Sequence, residues 1–216
     1  MTVQRRTQAE RSNAMRKRIL DATIQCLAMD GYAGTTISRI IETAKVSRGA
    51  PIHHFPTKNA MIIAAAEQLV QKVFLQVQDA MSELNTSANR IHDLVYLLWD
   101  SVFTKPEFIA MSELLLNCRR DPELTAVMQP FLSTTHAILG DITGNYFEPI
   151  DAQNNVVGEM WMMTRWMLRG LAMDYSIIQD RSVFDHYLKI WCQVLAMHMR
   201  AKEEVDTSLS IPFQTS

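Results

Sequence analysis

Between Met15 and Met61 the apolar residues fall into three runs at helical spacing, broken at two sharp interruptions, and few folds accept that arrangement. Met15, Ile19, Ala22 and Cys26 step by four, three and four, and Leu20, Ile24 and Leu27 widen the stripe. The spacing predicts a helix over 8–30, stopped by Gly31. Thr35 or Thr36 then caps a short helix through about Ala44, with Ile37, Ile40 and Ile41 turned inward. Lys45-Val46 makes a tight turn. Ser47 is expected to cap a second short helix, Arg48 to His54, closed by Phe55-Pro56. A long helix followed by two short ones joined through a turn of three or four residues is a helix-turn-helix.

Downstream the chain reads as helices only. Thr57 caps one that starts at Lys58 and runs to Leu84, and further helices are expected over 88–104, 106–119, 121–147 (bent near Pro130), 153–179 and 183–204. No segment shows strand alternation, and 205–216 lacks helical pattern and is read as a loose tail. With seven glycines, seven prolines and 48% hydrophobic residues, the composition also points to helix. The expected fold is all-α: a three-helix helix-turn-helix domain over 1–59, with a basic arm, and a larger helical regulatory and dimerisation domain over 60–204.

The net charge of −2 conceals an asymmetry. Residues 1–59 carry ten Lys/Arg against four acids, +6, and the remainder carries 11 against 19, −8. A basic module that meets a polyanion and a merely solvated basic surface are both open on charge alone. No uninterrupted apolar stretch approaches the roughly 18 residues of a membrane span, so no membrane partner is expected. The polar, arginine-bearing start is not that of a secretory signal. Cys26, Cys118 and Cys192 are odd in number and far apart, with no metal spacing, which fits reduced thiols in a cytoplasmic protein.

Residues 15–61 resemble the DNA-binding domain of the TetR (tetracycline repressor) family. The landmarks are Ile19-Leu20-x-Ala22, Gly31-Tyr32, Thr35-Thr36, Val46-Ser47, Gly49 and His54-Phe55-x-x-Lys58, in that order. Beyond them, only length and helical pattern match. Three positions depart from the pattern. Lys45 stands where glycine is usual, so a residue with a Cβ must accept the turn conformation at some strain. Ile41 replaces a usual alanine between the helices. Pro51-Ile52 replaces the common leucine-tyrosine, which a first helical turn tolerates because its amides have few intrahelical partners. These changes bear on the operator sequence.

The resemblance implies that the second short helix enters the major groove of double-stranded DNA, with Thr36, Ser38, Ser47, Arg48, Gly49, Ala50 and Ile52 at or near the contact. The residue chemistry agrees. Arg48 can reach guanine O6 and N7 with two hydrogen bonds, and Gly49 and Ala50 let the helix end come close. By resemblance His53, His54 and Lys58 donate to phosphates together with the caps Thr36 and Ser47; for each histidine, a structural role against the backbone stays equally open. Arg5 and Arg6 belong to an arm that can reach a minor groove.

The segment 156–178 is apolar on nearly all sides, and a helix of that kind has to be covered all round. The resemblance places the last two helices in a homodimer interface, with Trp161, Tyr187, Trp191 and Leu195 as its expected residues; a monomer core is the alternative. Methionine is frequent, 14 in all with five between 160 and 173, which suits an adaptable pocket or simply fills a core. Trp99, Phe103, Met111, Leu115, His136, Trp166 and Met167 are the candidate lining of a pocket for a mainly apolar effector, with His136 or Arg165 as its polar anchor.

Competing classes find less support. No Glu is followed three residues later by His, as a helical di-iron site requires, and there is no Gly-rich phosphate loop, Gly-x-Ser-x-Gly or Cys-x-x-Cys. Neither a catalytic residue, a cofactor nor a metal is expected. The reading is a ligand-responsive transcriptional repressor; a ligand-independent or activating regulator, and a helical enzyme without a recognisable site, are the alternatives.

Overall fold

A computed structural model describes residues 7–206, and for 134–142 the backbone alone. Nine α-helices carry the described chain: α1 (Gln8–Gly34), α2 (Ile37–Ala44), α3 (Ala50–His54), α4 (Lys58–Glu83), α5 (Arg90–Leu98), α6 (Pro106–Cys118), α7 (Pro122–Tyr146), α8 (Val157–Ile178) and α9 (Arg181–His198). A 3-10 turn follows α4 and a π-helical turn, Trp99–Phe103, follows α5. By compactness the chain divides into two units, 1–72 with 106–129 and 73–105 with 130–216. The division falls within α4, and at Pro130 within α7.

In the first unit α1 opens with a reciprocal capping box. The Glu10 N–H donates to Thr7 Oγ1 at 3.2 Å, and the Thr7 N–H donates to Glu10 Oε2 at 2.7 Å. Its inner face, Ile19, Leu20, Ile24 and Leu27, is buried against α2 and α6. Gly31 ends the regular helix, as its place in the sequence suggests, but the chain then resumes one more turn. Gly31 sits at φ 69°, ψ 178°, and the Tyr32 N–H that this break frees donates to Glu113 Oε2 on α6 at 2.9 Å. Thr35 Oγ1 closes the other side by donating to the Gly31 carbonyl at 2.7 Å. Thr57 Oγ1 accepts from the Ala60 N–H at 3.0 Å and starts α4, whose Met61, Ile62, Ala65 and Leu69 complete this core. The stretch 58–86 is apolar and long enough to cross a membrane by composition, yet half of its most apolar window is buried inside the protein, as in a core helix.

In the second unit, α5, α8 and α9 enclose Leu94, Leu98, Trp99, Trp161, Leu168, Leu188 and Leu195. Trp99 stacks on Phe184 and meets Tyr175 edge-on, with centroids 5.7 and 5.5 Å apart. Only Gln179 and Asp180 link α8 to α9. Gln179 turns the chain at φ 53°, and Asp180 Oδ1 caps α9 through the Ser182 N–H at 3.0 Å. Arg181 fixes this corner by pairing with Asp100 and with Asp185.

Two short strands were not legible in the sequence. β1 (Phe147–Pro149) pairs antiparallel with β2 (Met199–Ala201), Glu148 facing Arg200 across an ion pair of 2.7 Å. Three residues are too few for an alternation to register, and β2 takes the chain that a longer last helix would have used.

Candidate nucleic-acid interface

The turn between α2 and α3 sets how α3 is presented. Thr36, rather than Thr35, caps α2, its Oγ1 accepting from the Arg39 N–H at 3.2 Å. At the other end Lys45 takes the left-handed conformation, φ 52° and ψ 50°, so the residue without glycine's freedom does accept it. Its carbonyl is held by Arg18 Nη2 from α1 at 3.2 Å. The helix after the turn is shorter than expected. Ser47 does not cap it with its side chain; the Ser47 carbonyl accepts from the Ala50 N–H at 3.1 Å, Arg48 and Gly49 lie in a turn, and α3 begins at Ala50. Gly49 already has helical dihedrals, and its carbonyl accepts from His53, so the entry is a tightened turn that needs no hydroxyl cap.

Burial then sorts α3 and its approach into two faces. Pro51 and Phe55 are buried, with the Arg16 guanidinium of α1 5.4 Å over the Phe55 ring. Ser47, Arg48, Gly49, Ile52 and His53 are exposed, as are Thr36 and Ser38 at the start of α2; Ala50, His54 and Lys58 are half-buried. Ile52 is 67% exposed, an unusual position for an isoleucine. A Cβ placed on Gly49 would meet nothing within 4 Å, so no internal packing requires glycine there. His53 and His54 lie edge to face, 5.3 Å apart, and among the described residues neither imidazole bonds to the backbone. Lys58 Nζ sits 5.6 Å over the Tyr32 ring. Arg39, by contrast, is engaged by Asp30 and Glu42. Arg5 and Arg6 lie outside the described residues.

In the second unit the two last helices turn separate faces inward and outward. Inward, α8 offers Trp161, Leu168 and Ala172 and α9 offers Phe184, Leu188 and Leu195, all buried. Outward, α8 exposes Met163, Trp166, Gly170, Met173 and Ile177, at steps of three, four, three and four. α9 exposes Val183, Tyr187 and Ile190, with Val194 half-buried, then Met197, at steps of four, three, four and three. Each is an apolar seam of the 3–4 spacing that helix pairs bury.

The comparisons with known proteins now bear on these faces. A family model described as bacterial regulatory proteins, tetR family, matches residues 19–69, the run from α1 into α4. The regulator CymR of Pseudomonas putida is 29% identical over 189 residues, covering 86% of this chain and 91% of its own. Over residues 19–69 the chain carries a TetR-family helix-turn-helix domain. The repressor AcnR of Corynebacterium diphtheriae is 42% identical over 53 residues, 24% of this chain and 28% of its own. In fold, a transcriptional regulator from Saccharomonospora viridis crystallised with choline matches 88% of this chain and all of its own, with a TM-score of 0.67 at 16% identity.

Several site residues sit elsewhere than the sequence suggested. Trp161 and Leu195, expected at an interface, are 1% and 0% exposed and belong to the core of their own unit. Tyr187 is 51% exposed, and Trp191 is half-buried, its indole bonded to Thr164. Trp166, expected to line a pocket, is 58% exposed. Trp161 and Trp166 are five residues apart, about 140° around a helix, so one faces out when the other faces in. Met111 and Leu115 lie on α6 in the first unit, whereas Trp99, Phe103 and Met167 lie in the second. His136 lies in the segment described by its backbone alone. Among the described residues, a recess of about 550 Å³ is lined by Tyr32, Asn59, Asn117, Arg120, Asp121, Pro122 and Glu123. What reasoning from the sequence missed was the outward seam, whose 3–4 spacing was present in the residue numbers.

Proposed function

We propose that this chain is a homodimeric repressor of the TetR type that grips a pseudo-palindromic operator through α3 and lets go when a small molecule occupies its second unit. The observation that carries the DNA-binding half is the free face formed by Arg48, Gly49, Ile52 and His53 beside a left-handed turn braced by Arg18. Arg48 supplies a planar fork for guanine. Gly49 permits close approach, and exposed Ile52 offers an apolar contact to a thymine methyl. Thr36, Ser38, Ser47, His53, His54 and Lys58 surround that face with donors for phosphate.

The two apolar seams support the dimer. Ile177 is 83% exposed and Met197 66%, and a stripe of this kind on both α8 and α9 is better covered than left in water. A second copy covers both in a four-helix arrangement, since a two-fold axis brings like seams together. Two α3 helices then meet half-sites about 34–36 Å apart.

Release follows from linkage. An effector that binds the DNA-free geometry more tightly loosens the operator by the same factor, about 1.4 kcal/mol for each tenfold. α4 gives residues 58–72 to the first unit and 73–83 to the second, a covalent route between effector and turn. The test compares two variants on operator and random duplexes over a salt series. Arg48→Ala should lose base preference at a cost of about 1–3 kcal/mol, whereas Lys58→Ala should weaken every sequence alike and flatten the salt dependence. Equal losses on all sequences for Arg48→Ala would refute the assignment of α3.

A further inference from the structure

The inward stripe of α8 reads Trp161, Arg165, Leu168 and Ala172, at steps of four, three and four. Three of the four are core residues at most 5% exposed. The fourth, Arg165, is half-buried and carries a guanidinium. Arg165 Nη1 is buried without a hydrogen-bond partner among the described residues, and so is the Trp161 indole Nε1. The two residues are one helical turn apart on the same face, and neither of these N–H groups has an acceptor among the described residues.

Nothing on the helix neutralises the charge. The acids of α8, Glu159 and Asp174, are both exposed, and the charged group that acts on Arg165 is another cation, Arg169, one turn further on. Burial, and behind it Arg169, holds the Arg165 guanidinium below its usual proton affinity. Arg181, at the corner of the same unit, shows the ordinary arrangement, with carboxylates from Asp100 and Asp185. A half-buried cation with one N–H left without a partner among the described residues costs free energy in the empty protein and favours an anion that reaches it.

We infer that the effector of this protein is an apolar molecule bearing one carboxylate, bound by Arg165 with Trp161 as a second donor. The inference rests on the ligand-responsive reading above and narrows it. A neutral ligand leaves the guanidinium unpaired, and a cation such as choline is repelled by Arg165 and Arg169 together. A carboxylate matches the planar fork of arginine and the single indole N–H, while the remainder of the ligand meets the apolar side chains of the stripe.

The experiment uses the full chain and a probe series of monocarboxylates, from butyrate to dodecanoate and from benzoate to phenylbutyrate, each beside its primary amide, with choline as the cationic control. Thermal shift reads binding, and polarisation of a labelled operator reads release. At least one acid should raise the melting temperature and weaken operator binding tenfold or more, while its amide and choline do neither. Arg165→Met should bind operator like the wild type, melt higher in the absence of any ligand, and lose the response to the acid; Arg165→Lys should keep part of it. An amide that acts as well as its acid, a Met variant that still responds, or an acid series that leaves the wild-type melting temperature unchanged would each overturn the inference. If the wild type binds no operator, the repressor reading fails alone, because the thermal shift reports the anion site without DNA.

Discussion

The indole Nε1 of Trp191 on α9 donates to the hydroxyl of Thr164 on α8 at 2.9 Å, and Thr164 in turn donates to the Met160 carbonyl at 2.7 Å. Thr164 is fully buried. This chain of bonds fixes the rotation of each helix against the other, and with it which residues of α8 and α9 face outward. Thr164→Val keeps the shape and removes the acceptor, leaving the indole N–H unsatisfied. It should cost about 1–3 kcal/mol in chemical denaturation. A Trp191→Phe change on that background should add little, since the donor has already lost its partner; additive losses would contradict the pairing.

Substitutions on the outward and inward faces of the same pair of helices should have opposite consequences. Ile190→Glu and Met173→Glu fall on the seams and should give folded monomers with native helical content and much weaker operator binding. Leu195→Glu and Trp161→Glu bury a charge in the core and should fail to fold. Sedimentation and circular dichroism separate the two cases. Dimers that persist in both seam variants would remove this interface.

That contrast marks where the sequence was legible. The helix-turn-helix could be read because its signals are local: Gly31 at the break, Thr36 and Thr57 as caps, and the tight turn at Lys45. In α8 and α9 apolar residues cover nearly the whole surface, so periodicity alone does not say which stripe meets its own domain and which meets solvent. Burial of Leu188 and Trp161 decides it, and burial is a property of the packed unit. Arg165 was legible as a candidate polar anchor, but its missing partner was not, because that depends on every element packed around it.

The two left-handed residues near α2 give paired expectations. A Cβ on Gly31, at φ 69°, would lie 3.2 Å from a Glu113 carboxylate oxygen, so Gly31→Ala adds crowding to backbone strain. It should cost about 1 kcal/mol or more and disturb the Tyr32–Glu113 bond. Lys45→Gly relieves a left-handed backbone and should raise stability by up to about 1 kcal/mol. Thermal denaturation of both variants checks the signs. A stabilising Gly31→Ala would contradict the geometry.

The cysteines should be inert. Burial pushes the Cys192 thiol up to about 11 and raises those of Cys26 and Cys118. A shift of that size for Cys192 lowers its thiolate fraction at neutral pH about a hundredfold, and the thiolate is the reactive form. Iodoacetamide at pH 7.5 should therefore leave Cys192 unmodified in the folded protein and label it only on unfolding, as read by mass spectrometry. Rapid native labelling would mean that the region between α8 and α9 opens.

The most direct test of the whole reading is selection of binding sites from a pool of random duplexes by the purified full-length protein, followed by sequencing. The expected result is an enriched motif of two inverted half-sites, bound by a dimer at nanomolar-range affinity, with a guanine whose preference disappears in Arg48→Ala. A pool that emerges without sequence preference, or a single half-site bound by one chain, would contradict it.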